Sequence, residues 1–156
     1  LTDFPSERSQ HVNLELDSFW KDLLTVRFVV NKALEQARGA RKIGSSLEAQ
    51  VVLKIEDAAL AGKLVSLNSD LNGFFITSQA KVLAEHESFP CSDGYLSEVC
   101  EAGISVGVLP ATGSKCGRCW KYSTQVGQSS DYLELCQPCR QAVITDTASS
   151  QPSPVS

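Results

Sequence analysis

Apolar and polar positions recur along this chain with two periods, and the changes from one to the other divide it into elements. In "FWKDLLTVRFVVNKALEQAR", Phe19, Leu23, Val30, Leu34 and Ala37 return at helical spacing and so form one stripe of an amphipathic helix. Asp17 or Ser18 is expected to cap it, with an end near Arg38 and Gly39 in the left-handed position beyond. Trp20, Arg27, Asn31 and Arg38 lie together along one edge of that stripe, at about 100° per residue. Long Arg and Trp side chains there widen a buried face while their polar ends stay wet. The competing account, a line of groups that meets phosphate and bases, is the less favoured from periodicity alone.

The period then shortens. After the basic hinge "ARKIGSS", with Arg41 and Lys42, the run "LEAQVVLKI" puts Leu47, Ala49, Val51, Leu53 and Ile55 on one side and Glu48, Gln50 and Lys54 on the other, which predicts a half-buried strand. Leu60, Leu64, Leu67 and Leu71 restore the helical period, with Asp57 as cap. "GFFITS", "AKVLA" and "GISVGVLPA" each read as a short strand. Residues 1–16 read as an extended polar lead-in, and "TDTASSQPSPVS" as a disordered tail. No internal repeat is visible. The fold class expected is therefore α+β: a long helix from a helical part joined to a small mixed module.

Composition narrows the options without deciding among them. The 156 residues allow one ordinary domain or two small ones, and the hydrophobic share of 42% suits a packed core. No apolar run approaches the roughly 20 residues of a membrane span, so no membrane partner is expected. A net charge of −4 disfavours a broadly basic nucleic-acid binder but allows a local basic patch. No signal peptide is visible, and the chain has no Met at all, which suggests a piece of something larger. Cys91 and Cys100 stand apart from the other cysteines and are read as free thiols of a reducing compartment.

Four of the six cysteines form two pairs, Cys116 with Cys119 and Cys136 with Cys139, sixteen residues apart. That is the spacing of structural zinc sites. A thioredoxin-type centre needs a single pair at a helix start in a parallel sheet, and disulfides need an oxidising compartment. An iron–sulfur centre shares the tetrahedral S₄ ligand set and stays open; zinc is the expected cofactor. Gly117 is expected to help the first turn fold back and Pro138 to stiffen the second, with two short strands between the pairs. Four thiolates close the metal shell, so one Zn²⁺ would be structural rather than catalytic. Lys115, Arg118, Lys121 and Arg140 surround the cysteines, Trp120 and Tyr122 sit among them, and no acid occurs between Gly113 and Thr124. The cations either offset the negative Zn(Cys)₄ centre or, with the rings, make a surface for unpaired bases. The cluster alone does not choose.

"FWKDLLTVRFVVNKALEQARGARKIGSSLEAQVVL" followed by "KCGRCWKY" and "LCQPC" resembles the C-terminal end of bacterial-type isoleucyl-tRNA synthetases. "LTDFPS" fits the family's approach to the long helix, and the resemblance covers about residues 1–145. It implies four parts: the end of a helical anticodon-binding domain at 1–45, an α+β junction at 46–112, a Cys₄ zinc-ribbon-like module at 113–145 and a tail at 146–156. It also implies that Cys116, Cys119, Cys136 and Cys139 hold zinc, and that Trp120 lies in a part contacting the anticodon arm of isoleucine tRNA. Arg118, Lys121, Tyr122, Lys115 and Arg140 around it are further candidates for tRNA contact, with Arg27 and Arg38 on the helix as lesser ones. The family attaches isoleucine to tRNA with ATP, but the nucleotide-binding and editing signatures are not in this chain, so it is expected to be non-catalytic by itself. Its expected partners are that tRNA and the remainder of the same polypeptide, with the enzyme a monomer in cytoplasm or an organelle's matrix or stroma. A DNA-binding zinc ribbon like that of DNA-repair glycosylases and a purely structural brace are the alternatives.

Overall fold

The computed structural model describes residues 12–67, 70–84, 86, 87 and 95–149, with side chains described as far as Thr145. Of the expected extended lead-in over residues 1–16, residues 1–11 lie outside the described residues, as do Cys91 and the tail from residue 150, and residues 14–16 are helical instead.

Helix α1 spans Leu14–Gly39 and begins earlier than its apolar stripe. Asn13 caps it by accepting a 3.0 Å bond from the Leu16 amide. Asp17 and Ser18, the expected caps, are already helical, and Asp17 pairs with Lys21 at 2.8 Å. The displacement has a simple cause: the first turns are exposed, so the burial period that reveals the helix starts only at Phe19. Leu23, Val26, Val29, Val30, Ala33, Leu34 and Ala37 are buried, each Leu or Val stabilising the fold by roughly 1.5–3 kcal/mol. Leu16, in the exposed first turns, and Trp20, Leu24 and Phe28, running from the edge of the buried face towards the far side, are exposed. At the C-terminus the Lys42 amide donates to Ala37 O and the Arg41 amide to Arg38 O. This is a Schellman closure. Its left-handed residue is Arg41 (φ 56°), not the expected Gly39.

One 3₁₀ turn, Ser46–Glu48, leads into a four-stranded sheet of order β2-β1-β4-β3. Strand β1 is Ala49–Ile55, β2 Gln79–Val82, β3 Ser97–Glu101 and β4 Ile104–Pro110. β1 runs parallel to β2 and antiparallel to β4, with Val51 opposite both Ala80 and Val108. Helix α2, Ala58–Ser66, is capped by Asp57 as expected but ends before Leu67, and Leu71, expected on the same helix, belongs to a separate short one. Helix α2 lies beside α1, to which the Lys63–Asp22 pair at 2.6 Å ties it. Both helices contribute to one core with Ala49, Val51, Leu53, Ile104, Val106 and Val108.

Two expectations about strands change. "GFFITS" is not a strand: Gly73 and Phe74 close the short helix α3, Leu71–Phe74, and Ile76 turns the chain at φ 57°. Phe75 is buried and Phe74 packs on Trp20, so the aromatic pair that suggests a strand instead wedges a helical turn against α1. Strand β3 is absent from the apolar pattern because Val99 is the one apolar residue among its inward positions and polar Ser97 and Glu101 flank it. Ser97 donates to the Ala33 carbonyl of α1 at 2.6 Å, and Glu101 pairs with Lys32 at 2.7 Å. The last helix, α4, runs from Gln137 to Ser149, so the segment from 146 to 149, expected as tail, is helical.

Candidate metal centre

The first cysteine pair stands at the tip of a small hairpin, β5 (Ser114–Lys115) with β6 (Tyr122–Ser123). Only one strand lies between the cysteine pairs, instead of two; the hairpin is wrapped around the first pair. Within it the Cys116 amide donates to Lys121 O at 2.9 Å and the Trp120 amide to Cys116 O at 3.0 Å. The reversal is made by Trp120, at φ 65°, and Gly117 is not among the residues of positive φ. Gly117 contributes through its backbone amide, which donates to Glu134 O at 2.9 Å and draws the approach to the second pair against the first. Cys136 sits directly before α4 and Cys139 in its first turn, with the Arg140 amide on Cys136 O at 3.0 Å. Pro138 fits this first turn, where no amide proton is needed. The positive end of a helix favours thiolates.

The four Sγ atoms lie within 4.8 Å of one another, and Cys119 and Cys136 approach to 3.7 Å. Tetrahedral zinc with Zn–S near 2.3 Å sets its sulfurs about 3.8 Å apart. Cys116, Cys136 and Cys139 are buried, while Cys119 is half-buried. Burial opposes ionisation of Cys116, but the amides of Cys119, Cys136 and Arg118 outweigh it and bring the thiol down to about 6. Burial pushes Cys136 up to about 12, and it raises Cys119 as well. A bound zinc ion would supply the positive charge that holds all four sulfurs as thiolates. Four sulfurs at this spacing fit one zinc ion and leave it no open position. The site is structural.

Around it the basic and aromatic candidates divide. Trp120 is 61% exposed, with Lys115 Nζ 5.5 Å from its ring centroid. Arg118 is exposed and lies 3.9 Å from Cys139 Sγ, where it offsets thiolate charge. Lys121, Tyr122 and Arg140 are half-buried beside the knuckles. Arg27 and Arg38 are placed otherwise. Arg27 lies over the Phe74 ring at 5.3 Å. Arg38 pairs with Glu35 and donates to Ser46 Oγ at 2.9 Å. Both guanidinium groups thus have partners within the helix or the junction.

Two residues that hold the finger to the sheet carry no signal in the sequence. Ser78, buried, donates to Leu47 O and accepts from the Tyr122 amide at 2.6 Å. Gln79, at the start of β2, receives the Thr112 amide at 3.0 Å and donates to Thr112 O at 2.9 Å and Tyr122 O at 3.3 Å. Beside them a cleft of about 540 Å³ separates the finger from the α3–β2 turn; Asn72, Ser78, Lys121 and Tyr122 line it together with Cys119, Cys136 and Cys139 of the cage.

Comparison with known proteins agrees with this geometry. Residues 113–142 match the family model described as a zinc finger found in FPG and IleRS. Over 123 residues, 79% of its length, the chain is 46% identical to the isoleucine-tRNA ligase of Edwardsiella ictaluri, covering 12% of that protein. It is 42% identical over 130 residues, 83% of its length, to the enzyme of Cronobacter sakazakii, covering 13% of it. The chloroplastic/mitochondrial isoleucine-tRNA ligase of Arabidopsis thaliana is 42% identical over 137 residues, 82% of this chain and 12% of that protein. The chain thus spans about an eighth of the length of the curated relatives it matches. Identity of 42–46% over about four-fifths of the chain, with the cysteine cage in place, puts this chain in the isoleucine-tRNA ligase family, as its zinc-bearing C-terminal region.

Proposed function

We propose that this region grips the anticodon arm of isoleucine tRNA for a ligase that joins isoleucine to that tRNA with ATP. Its work is positional, and none of its residues acts on the amino acid. The observation that carries the reading is the Lys115–Trp120 pair. A large ring, 61% exposed, stands on a metal-braced knuckle with a cation over it. Such a ring is a platform for an unpaired base, and the flanking Arg118 and Lys121 suit its phosphates. Contacts to phosphate set the register and contacts to bases supply identity. The partners are the tRNA and the rest of the same polypeptide, acting as one copy in cytoplasm or an organelle interior.

The test is Trp120→Ala in the full-length ligase. Stacking worth about 1–3 kcal/mol per base predicts roughly 5- to 150-fold weaker tRNA binding, a matching loss of aminoacylation, and isoleucine-dependent ATP–pyrophosphate exchange near the wild-type rate. Equal loss of exchange would point to misfolding instead. A second reading, the finger as a brace, draws on the Ser78 and Gln79 bonds. It predicts full tRNA affinity in the Trp120 variant. DNA binding of the glycosylase kind gains no support from the similarity to the ligases, which at 123 residues reaches well beyond the finger.

A further inference from the structure

We infer that the cleft between the finger and the α3–β2 turn receives one unstacked nucleotide, its base edge meeting Asn72 and its phosphate meeting Lys121. The inference rests on the tRNA reading above and goes further by assigning the second nucleotide-binding position, one that does not involve the Trp120 ring.

The cleft has the size of a small-ligand site: about 540 Å³, within the range of about 300–1,000 Å³ usual for such pockets. Cys119, Cys136 and Cys139 form one wall of it, so an ion among the sulfurs would take a small part of that volume on that side. Its back wall is fixed, because Ser78 and Gln79 spend their side-chain groups on Leu47, Thr112 and Tyr122. Other groups on its lining are unspent. Asn72 Nδ2 makes only a long 3.4 Å bond to Ser78 O. Asn72 Oδ1, Lys121 Nζ and the Tyr122 hydroxyl have no hydrogen-bond partner among the described residues. An amide, an ammonium and a phenol are the set that a nucleotide satisfies. The amide matches the donor and acceptor of a base edge, the ammonium a phosphate, and the phenol a ribose hydroxyl.

Two residues close to the lining in sequence point the same way. Ile76 follows the lining residue Asn72 by one turn, and Trp120 directly precedes Lys121. Both hold left-handed backbone while presenting apolar side chains that are 54% and 61% exposed. A strand with one base stacked on Trp120 meets Lys121 at its next phosphate and then the mouth of the cleft.

The experiment uses the full-length ligase and isoleucine tRNA in which each anticodon-loop position in turn is made abasic. Asn72→Leu keeps the side chain's size and removes its hydrogen-bonding groups. It is expected to weaken binding of intact tRNA roughly 5- to 150-fold, the discrimination one bidentate pair supplies. One abasic position should cost the wild type as much and cost the variant nothing more, while the remaining positions stay additive. Lys121→Gln should weaken all these tRNAs alike and lower the salt slope by about one. Zinc content of one ion per chain certifies the fold of each variant; if Asn72→Leu fails it, Asn72→Asp takes its place with the same expectation. Unchanged affinity in the Asn72 variants, or a loss that persists with every abasic tRNA, overturns the cleft. Should Trp120→Ala still weaken binding in that case, the tRNA reading survives its loss; should neither variant matter, both fall.

Discussion

At Ile76 a β-branched side chain occupies φ 57°, a conformation in which its Cβ crowds the backbone. The Ile76 amide donates to Gly73 O and the Thr77 amide to Asn72 O, so this residue closes α3 as Arg41 closes α1. Its side chain is mostly exposed and packs little. Ile76→Gly should therefore leave stability unchanged or raise it by up to about 1 kcal/mol, because relief of strain offsets the entropy that glycine adds to the unfolded chain. Urea unfolding measures this, and a loss beyond about 1 kcal/mol would mean that the isoleucine is held by packing. Residue identity alone does not reveal these turns. Gly39 and Gly117 are the natural candidates for reversal, yet Arg41 and Trp120 adopt it. Glycine is permitted in that conformation, but the surrounding hydrogen bonds decide where it occurs. The cysteine ligands, by contrast, are legible because metal geometry constrains their spacing directly.

Among the elements, the β5–β6 hairpin is the least tolerant. Gly113 holds φ 91°, and a Cβ there would lie 2.2 Å from the Ser123 carbonyl carbon. Gly113→Ala should force the strands apart and carry Cys116 away from its partners. In chelator competition it is expected to release zinc at least about tenfold more readily, the range seen when supports of a metal site are removed. Wild-type retention would show that the hairpin yields without moving the sulfurs. Strands β1 and β4 and helices α1 and α2 are visible in the sequence because one face of each is apolar. Strand β3 is hidden, since Ser97 and Glu101 face α1 through polar bonds. The short α3 imitates a strand because two adjacent aromatics and an isoleucine carry strand propensity, whereas packing against Trp20 decides the outcome.

At the scale of the molecule, two cores of different origin meet. The helices and sheet bury an apolar core, while the finger's buried cluster is made chiefly of its cysteines. Removing the metal should then loosen residues 113–149 and leave the sheet intact. Hydrogen exchange is expected to accelerate in the finger after chelation and in Cys136→Ser, with β1 and β4 amides still protected. Loss of protection in β4 would mean that the sheet leans on the ion. A Cys136 variant that retains a full equivalent of tightly bound zinc would refute the ligand set. The division into a sheet-bearing junction and a finger follows from two changes of pattern along the chain. Their relative placement does not, because it depends on Ser78 and Gln79, ordinary polar residues whose partners are far away in sequence.

The finger joins the sheet at the end where Ala49 faces Pro110 and Gln50 faces Gln79. Three strands therefore start or finish beside it. A tug on the finger is borne lengthwise by β1, β2 and β4, with the rungs between them strained in shear rather than peeled open one after another. Such an anchorage behaves as a stiff handle, and a small displacement at the knuckles is carried bodily to α1 instead of being absorbed at the joint.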